Sequence, residues 1–280
     1  MNYRKCNPLY GYRWLSEGIK LFFSQPWPWL ALVGVSLLAL LLLSLLPVLG
    51  LVAIFTLFPG VAAGFLVASR AAQERQTISF QHLATGFKTA ARPLLGVGGL
   101  SFMIFIVALL FILMGWREDF QHLLQLMQSK TPDKGVILSA AQQLTVPSLM
   151  VLAMMLLLAM ATWFAPALVL FRQAEARIAM RLSFRACLAN FFPFLVFCLL
   201  LLLLDLTVSF LLRTLLNLLS GLIGTQSASL VAMFFTFPLV CAFLASLFAA
   251  AYVSYQDVFE AQPTPGNEKP AARDAPTPAI

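Results

Sequence analysis

The chain has 280 residues, of which 61% are hydrophobic and only 10% charged. Soluble domains carry about 25% charged residues, so this composition excludes a water-soluble globular protein. The formal net charge of +7 does not point to nucleic acid, because the basic residues lie in short segments between apolar stretches, the pattern of loops at an anionic membrane surface.

No charged residue occurs from Leu21 to Ser69. Roughly 20 apolar residues cross the ~30 Å hydrocarbon core of a bilayer. This region therefore predicts two spans, at about 27–46 and 51–69, with Pro47 and Gly50 in a tight turn between them. Four further apolar stretches predict spans at about 94–115, 147–171, 194–212 and 230–254. The first span follows a basic segment and has no small-residue cleavage site behind it, so it reads as a retained span. Residues 1–260 are expected to form one integral membrane domain. Residues 261–280 contain five prolines and little apolar bulk, which predicts a disordered tail.

Lys and Arg concentrate in the N-terminal segment, in the loops after spans two and four, and in the tail. The opposite side carries Arg117, Lys130, Lys134 and Arg213. Positive loops stay in the cytoplasm, so both termini and the tail are expected there.

A threefold pattern accompanies the spans. Each pair is preceded by a short amphipathic basic segment that ends at a proline: Leu15, Ile19, Phe22 and Phe23 before Pro26; Phe80, Leu83, Phe87 and Ala91 before Pro93; Met180, Phe184, Cys187, Leu188 and Phe191 before Pro193. Such segments predict interfacial helices with their apolar faces toward the membrane. The expected fold is all-α: a polytopic membrane protein with six transmembrane helices in three hairpins, each preceded by a cytoplasmic interfacial helix. The motif at Gly60 and Gly64 and the small-residue ridge Ala242, Ser246 and Ala250 predict close helix contact, within the chain or between subunits. The stripe Phe120, Leu123, Leu124 and Met127 predicts a further interfacial helix, or a lid, on the far face.

Asp205 is the one ionisable residue in the middle of a predicted span. An intramembrane acid costs about 2.5–3.5 kcal/mol on insertion scales and is expected to face protein or water. Its candidate partners are Arg213, Thr207 and Ser209. The stripe Arg177, Arg181 and Arg185, with Lys88 and Arg92, forms a candidate site for anionic headgroups. Pro59, Pro166 and Pro238, each close to a Phe, mark kinks in the even-numbered spans, and Trp163 beside Pro166 adds a candidate gate.

No P-loop, GxSxG, HExxH or paired-aspartate motif is present, and no cluster of polar groups converges as an enzyme would require. Neither a cofactor nor a metal is expected, since His82 and His122 fall on opposite sides. The four cysteines lack metal-ligand spacing and do not read as a disulfide framework.

The blocks GYRWLSEGIKLF, LLLSLLPVLGLV, WFAPALVLF followed by LSFRACLANFFPF, and YVSYQDVF resemble an uncharacterised family of proteobacterial inner-membrane proteins. The resemblance covers nearly the whole chain apart from the loop after span three and the tail. It implies six spans and residence in the inner membrane, with no catalytic residues to carry over. The hairpin plan is more loosely similar to the membrane domains of some bacterial glycerophosphodiester phosphodiesterases, which implies a link to phospholipid metabolism. The expected function is that of a non-enzymatic, lipid-contacting accessory or envelope-organising protein. Its expected partners are anionic phospholipids, with a protein partner or a second copy also in view. The alternative is a small transporter or lipid translocator that uses Asp205 at a repeat interface.

Overall fold

The computed structural model describes residues 2–128 and 134–260, and among them every regular element is helical. The tail at 261–280 lies outside the described residues. A short helix, α1 (Tyr10–Ser24), leads into the hairpin α2 (Pro26–Ser44) and α3 (Pro47–Gln73). The second hairpin comprises α4 (Gln81–Gly115) and the broken pair α7 (Thr145–Thr162) and α8 (Ala165–Arg172), joined by two short helices, α5 (Arg117–Gln128) and α6 (Lys134–Gln143). The third begins with α9 (Ala176–Ala189) and continues through α10 (Phe191–Ile223) and α11 (Thr225–Tyr255), which ends in a π-helical turn, Gln256–Glu260. Six of these units are long and apolar enough to cross a membrane, with α7 and α8 counted as one. The chain is an all-α polytopic membrane protein.

The three prolines that follow the amphipathic segments act as expected, but each helix breaks at a residue ahead of its proline. Gln25 (φ −147°) interrupts the chain before Pro26, Ala90 (φ −144°) before Pro93, and Asn190 (φ −112°) before Pro193. Proline lacks an N–H and clashes with the preceding turn, so it is tolerated only near the start of a new helix. The second amphipathic segment is thus the first part of α4, kinked at Ala90. The fifth span is longer than its predicted apolar core: α10 continues to Ile223, and at ~1.5 Å per residue its 33 residues extend about 50 Å.

Glycine permits close helix contacts. A Cβ on Gly64 would lie 2.6 Å from the Leu83 backbone, and one on Gly86 would lie 2.6 Å from the carbonyl of Gly60. The small residues of α3 therefore serve contact with α4 inside the chain. The ridge on α11 does the same for α1, since a Cβ on Gly18 would meet the Ser246 carbonyl at 2.7 Å. Packing is uneven. The core gathers α1, α3, α8, α9 and the end of α11, whereas α10 buries only Pro193 and Phe197.

Candidate functional site

On the face that carries the N-terminus, five separate parts of the sequence converge. The Trp14 indole Nε1 donates to Asp257 Oδ2 at 3.1 Å, and the Arg13 guanidinium lies 3.4 Å from the other carboxylate oxygen. Asp257 is 7% exposed and Trp14 fully buried. The Arg4 N–H donates to the Val258 carbonyl at 2.8 Å. Asn190, at the start of α10, accepts from the Cys6 N–H at 2.7 Å and donates to the carbonyls of Arg4 and Ala186, each at 3.0 Å. The Arg172 guanidinium donates to the Phe259 carbonyl and lies over that ring. Burial, reinforced by Asp257, pushes the Cys6 thiol up from 9.0 to about 11. These contacts clasp the N-terminal segment onto the end of α11.

Beside this clasp, the fourth span is broken at Trp163 and Phe164. Pro166 lacks the N–H that would continue the ladder, and a side chain from another helix enters the break. Ser183 Oγ accepts from the Phe164 N–H at 3.0 Å and donates to the Met160 carbonyl at 2.7 Å. Those two backbone groups would otherwise bond each other, so Ser183 wedges into the ladder. The break turns Trp163 against Phe194 and Phe197, with ring centroids at 5.6 and 5.9 Å. Its Nε1 donates to Ser254 Oγ at 3.2 Å.

Trp163 also walls a cavity of about 560 Å³ between α2, α3, α4, α7, α8 and α11. Pro59 and Pro166 line it too, so three of the four candidate kink or gate residues come together. Pro238 is exposed on α11 and does not line it. The other walls are mostly aliphatic and aromatic, including the stacked pair Phe65 and Phe248, 4.2 Å apart. Three hydroxyls reach the lining. Ser36, Ser101 and Thr162 each bond a carbonyl one turn back, at 2.8–2.9 Å.

The remaining candidates sit elsewhere. Arg177, Arg181 and Arg185 are exposed along α9, whose opposite side (Ala179, Met180, Ser183, Ala186, Cys187) is buried. Lys88 and Arg92 are exposed on α4. The two helices meet where a Cβ on Gly96 would lie 3.2 Å from Ala176, one residue from Arg177 and one turn from Arg92. Asp205, Thr207 and Arg213 are exposed on α10 and Ser209 is half-buried. Thr207 bonds the Leu203 carbonyl of its own helix at 2.7 Å, and among the described residues no ion pair joins Asp205 to Arg213. Asp257 and Ser183 were not singled out by sequence reasoning. The partner of Asp257 lies 243 residues away along the chain and those of Ser183 lie 19 and 23 residues away, and only their places in the blocks YVSYQDVF and LSFRACLANFFPF mark them.

Fold and site together define a polytopic helical membrane protein with a basic clasped face and an apolar intramembrane cavity. The chain is similar to a protein of Burkholderia thailandensis named a probable inner membrane protein, at 29% identity over 264 residues, covering 92% of this chain and 94% of that one. No family model and no solved structure matches the chain. The likeness to phosphodiesterase membrane domains finds no support in these comparisons.

Proposed function

We propose that the protein is a non-enzymatic, lipid-contacting accessory protein of the bacterial inner membrane, with its basic face in the cytoplasm, where it supports envelope organisation. The observation that carries this reading is the α9 arginine stripe. Three guanidinium groups repeat every fourth residue on an exposed face, and among the described residues no acidic side chain is paired with them. Packing on the opposite side of α9 holds that face outward. The name of the Burkholderia relative supports the inner-membrane placement. The cavity gives no support to a transport route through Asp205, since no residue of α10 lines it.

The test is native mass spectrometry of the protein from nanodiscs that mix phosphatidylglycerol and phosphatidylcholine. A cation near an anionic surface is worth about 1 kcal/mol. Replacing Arg177, Arg181 and Arg185 with Gln is expected to reduce phosphatidylglycerol retention by up to roughly a hundredfold, at unchanged thermal stability. Equal retention by the parent and the triple variant would refute the headgroup role.

A further inference from the structure

We infer that the cavity is a binding site for the hydrocarbon chain of a membrane lipid. Its volume of about 560 Å³ falls within the range of small-molecule sites, about 300–1,000 Å³. The chemistry of the wall selects the class of occupant. A buried water needs 2–4 polar partners. Here the hydroxyls of Ser36, Ser101 and Thr162 are already committed to their own helices, and the Trp163 N–H is turned to Ser254. The wall thus offers water almost nothing, and a polar solute would be stripped of hydration without compensation. An alkyl or isoprenoid chain loses nothing there and gains contact with Phe55, Phe65 and Phe248.

Position supplies the second argument. On α2 and α3 the lining comes from the middle of the helices, between Val33 and Leu40 and between Ile54 and Leu66, and the cavity is not sealed. At that depth the surroundings are lipid tails. The walls are also fixed from behind. Pro166 and Trp163 stand at a helix break that Ser183 holds from α9, the same helix that displays the arginines. The helix that displays the arginines thus also holds the cavity wall in place. This inference rests on the lipid-contacting reading and names the part of the lipid held within the bundle.

The experiment uses the full chain in nanodiscs doped with phosphatidylglycerol whose acyl chain carries a photoactivatable diazirine, followed by peptide mapping of the adducts. Adducts are expected to concentrate on the cavity segments of α3 and α7, at least tenfold above those at the exposed control Phe210 of α10. Ala159 lines the cavity and is exposed, so Ala159→Phe should fill the space and reduce cavity adducts about tenfold while those at Phe210 persist. Ala159→Leu provides a milder filling if the larger side chain prevents folding, with a smaller loss of the same adducts. Uniform labelling of cavity and control, insensitive to either variant, would mean bulk lipid only and would overturn the site. The analogous phosphatidylcholine probe separates the two ideas. Equal, variant-sensitive cavity labelling by both lipids upholds the tail site and removes the headgroup role, whereas phosphatidylglycerol retention without cavity labelling does the reverse.

Discussion

Ser183 Oγ substitutes for one backbone bond, the one between Met160 and Phe164, and gives the bent fourth span a defined shape. Ser183→Ala removes the substitute and strands both backbone groups in a buried setting. The expected cost is about 1–3 kcal/mol, read as a lower thermal midpoint in detergent, together with altered Trp163 fluorescence. Asp257 acts similarly on Trp14. Asp257→Asn keeps an acceptor for the indole N–H and loses only the attraction of a half-exposed arginine, so its midpoint should stay close to that of the parent. Asp257→Leu leaves the buried N–H without a partner and should lose about 1–3 kcal/mol. The Cys6 thiol is held neutral by burial. Its alkylation should therefore accelerate only as pH approaches about 11, while an unfolded thiol reacts from about pH 9; mass-resolved alkylation across that window reads the difference directly. The sequence exposed Asp205 at once because an acid among leucines is locally anomalous. Asp257 stayed hidden because its partner is 243 residues away and its neighbours Tyr255 and Phe259 look like ordinary interface aromatics.

The helices were legible from hydrophobic length, and their boundaries were less so. Proline marks a helix start reliably, but the actual break falls at Gln25, Ala90 or Asn190, where the backbone can bend and where neighbouring helices supply contacts. Those contacts are invisible in a one-dimensional pattern. The GxxxG signal was read correctly as close packing, and the structure assigns it to α4. Gly64→Ala places a methyl group against the Leu83 backbone and should cost about 1–3 kcal/mol. Gly99→Ala, in the same helix pair but with open space around it, should not lower the thermal midpoint and should raise it by the helix propensity gained. The α10 helix contrasts with both. Because no described side chain pairs with Asp205, Asp205→Asn should not alter the stability of the isolated protomer in detergent. A clear drop would reveal a contact made only in an assembly.

At the level of the molecule, the lengths of the apolar stretches were enough to predict six spans, because hydrocarbon thickness constrains helix length and leaves few alternatives. The cavity was not legible. Pro59, Trp163 and Pro166 were noted separately as kinks or gates, and only tertiary packing brings them to one wall. Uneven burial is likewise a property of the whole. The α3–α4 pair and the clasped basic face are compact, while α10 and the adjoining part of α11 present large apolar side chains such as Phe210 and Phe234 outward.

The clasp has a consequence for biogenesis. Arg4, Cys6 and Trp14 leave the ribosome well before their partners Asn190, Asp257 and Val258. Through most of synthesis, α1 has no α10 or α11 to cover it. A nascent chain stalled before Gln256 would leave the Trp14 indole N–H without its Asp257 acceptor and the Arg4 N–H without the Val258 carbonyl. The turn Gln256–Glu260 thus supplies contacts that α1 and the segment before it lack until that turn has been made.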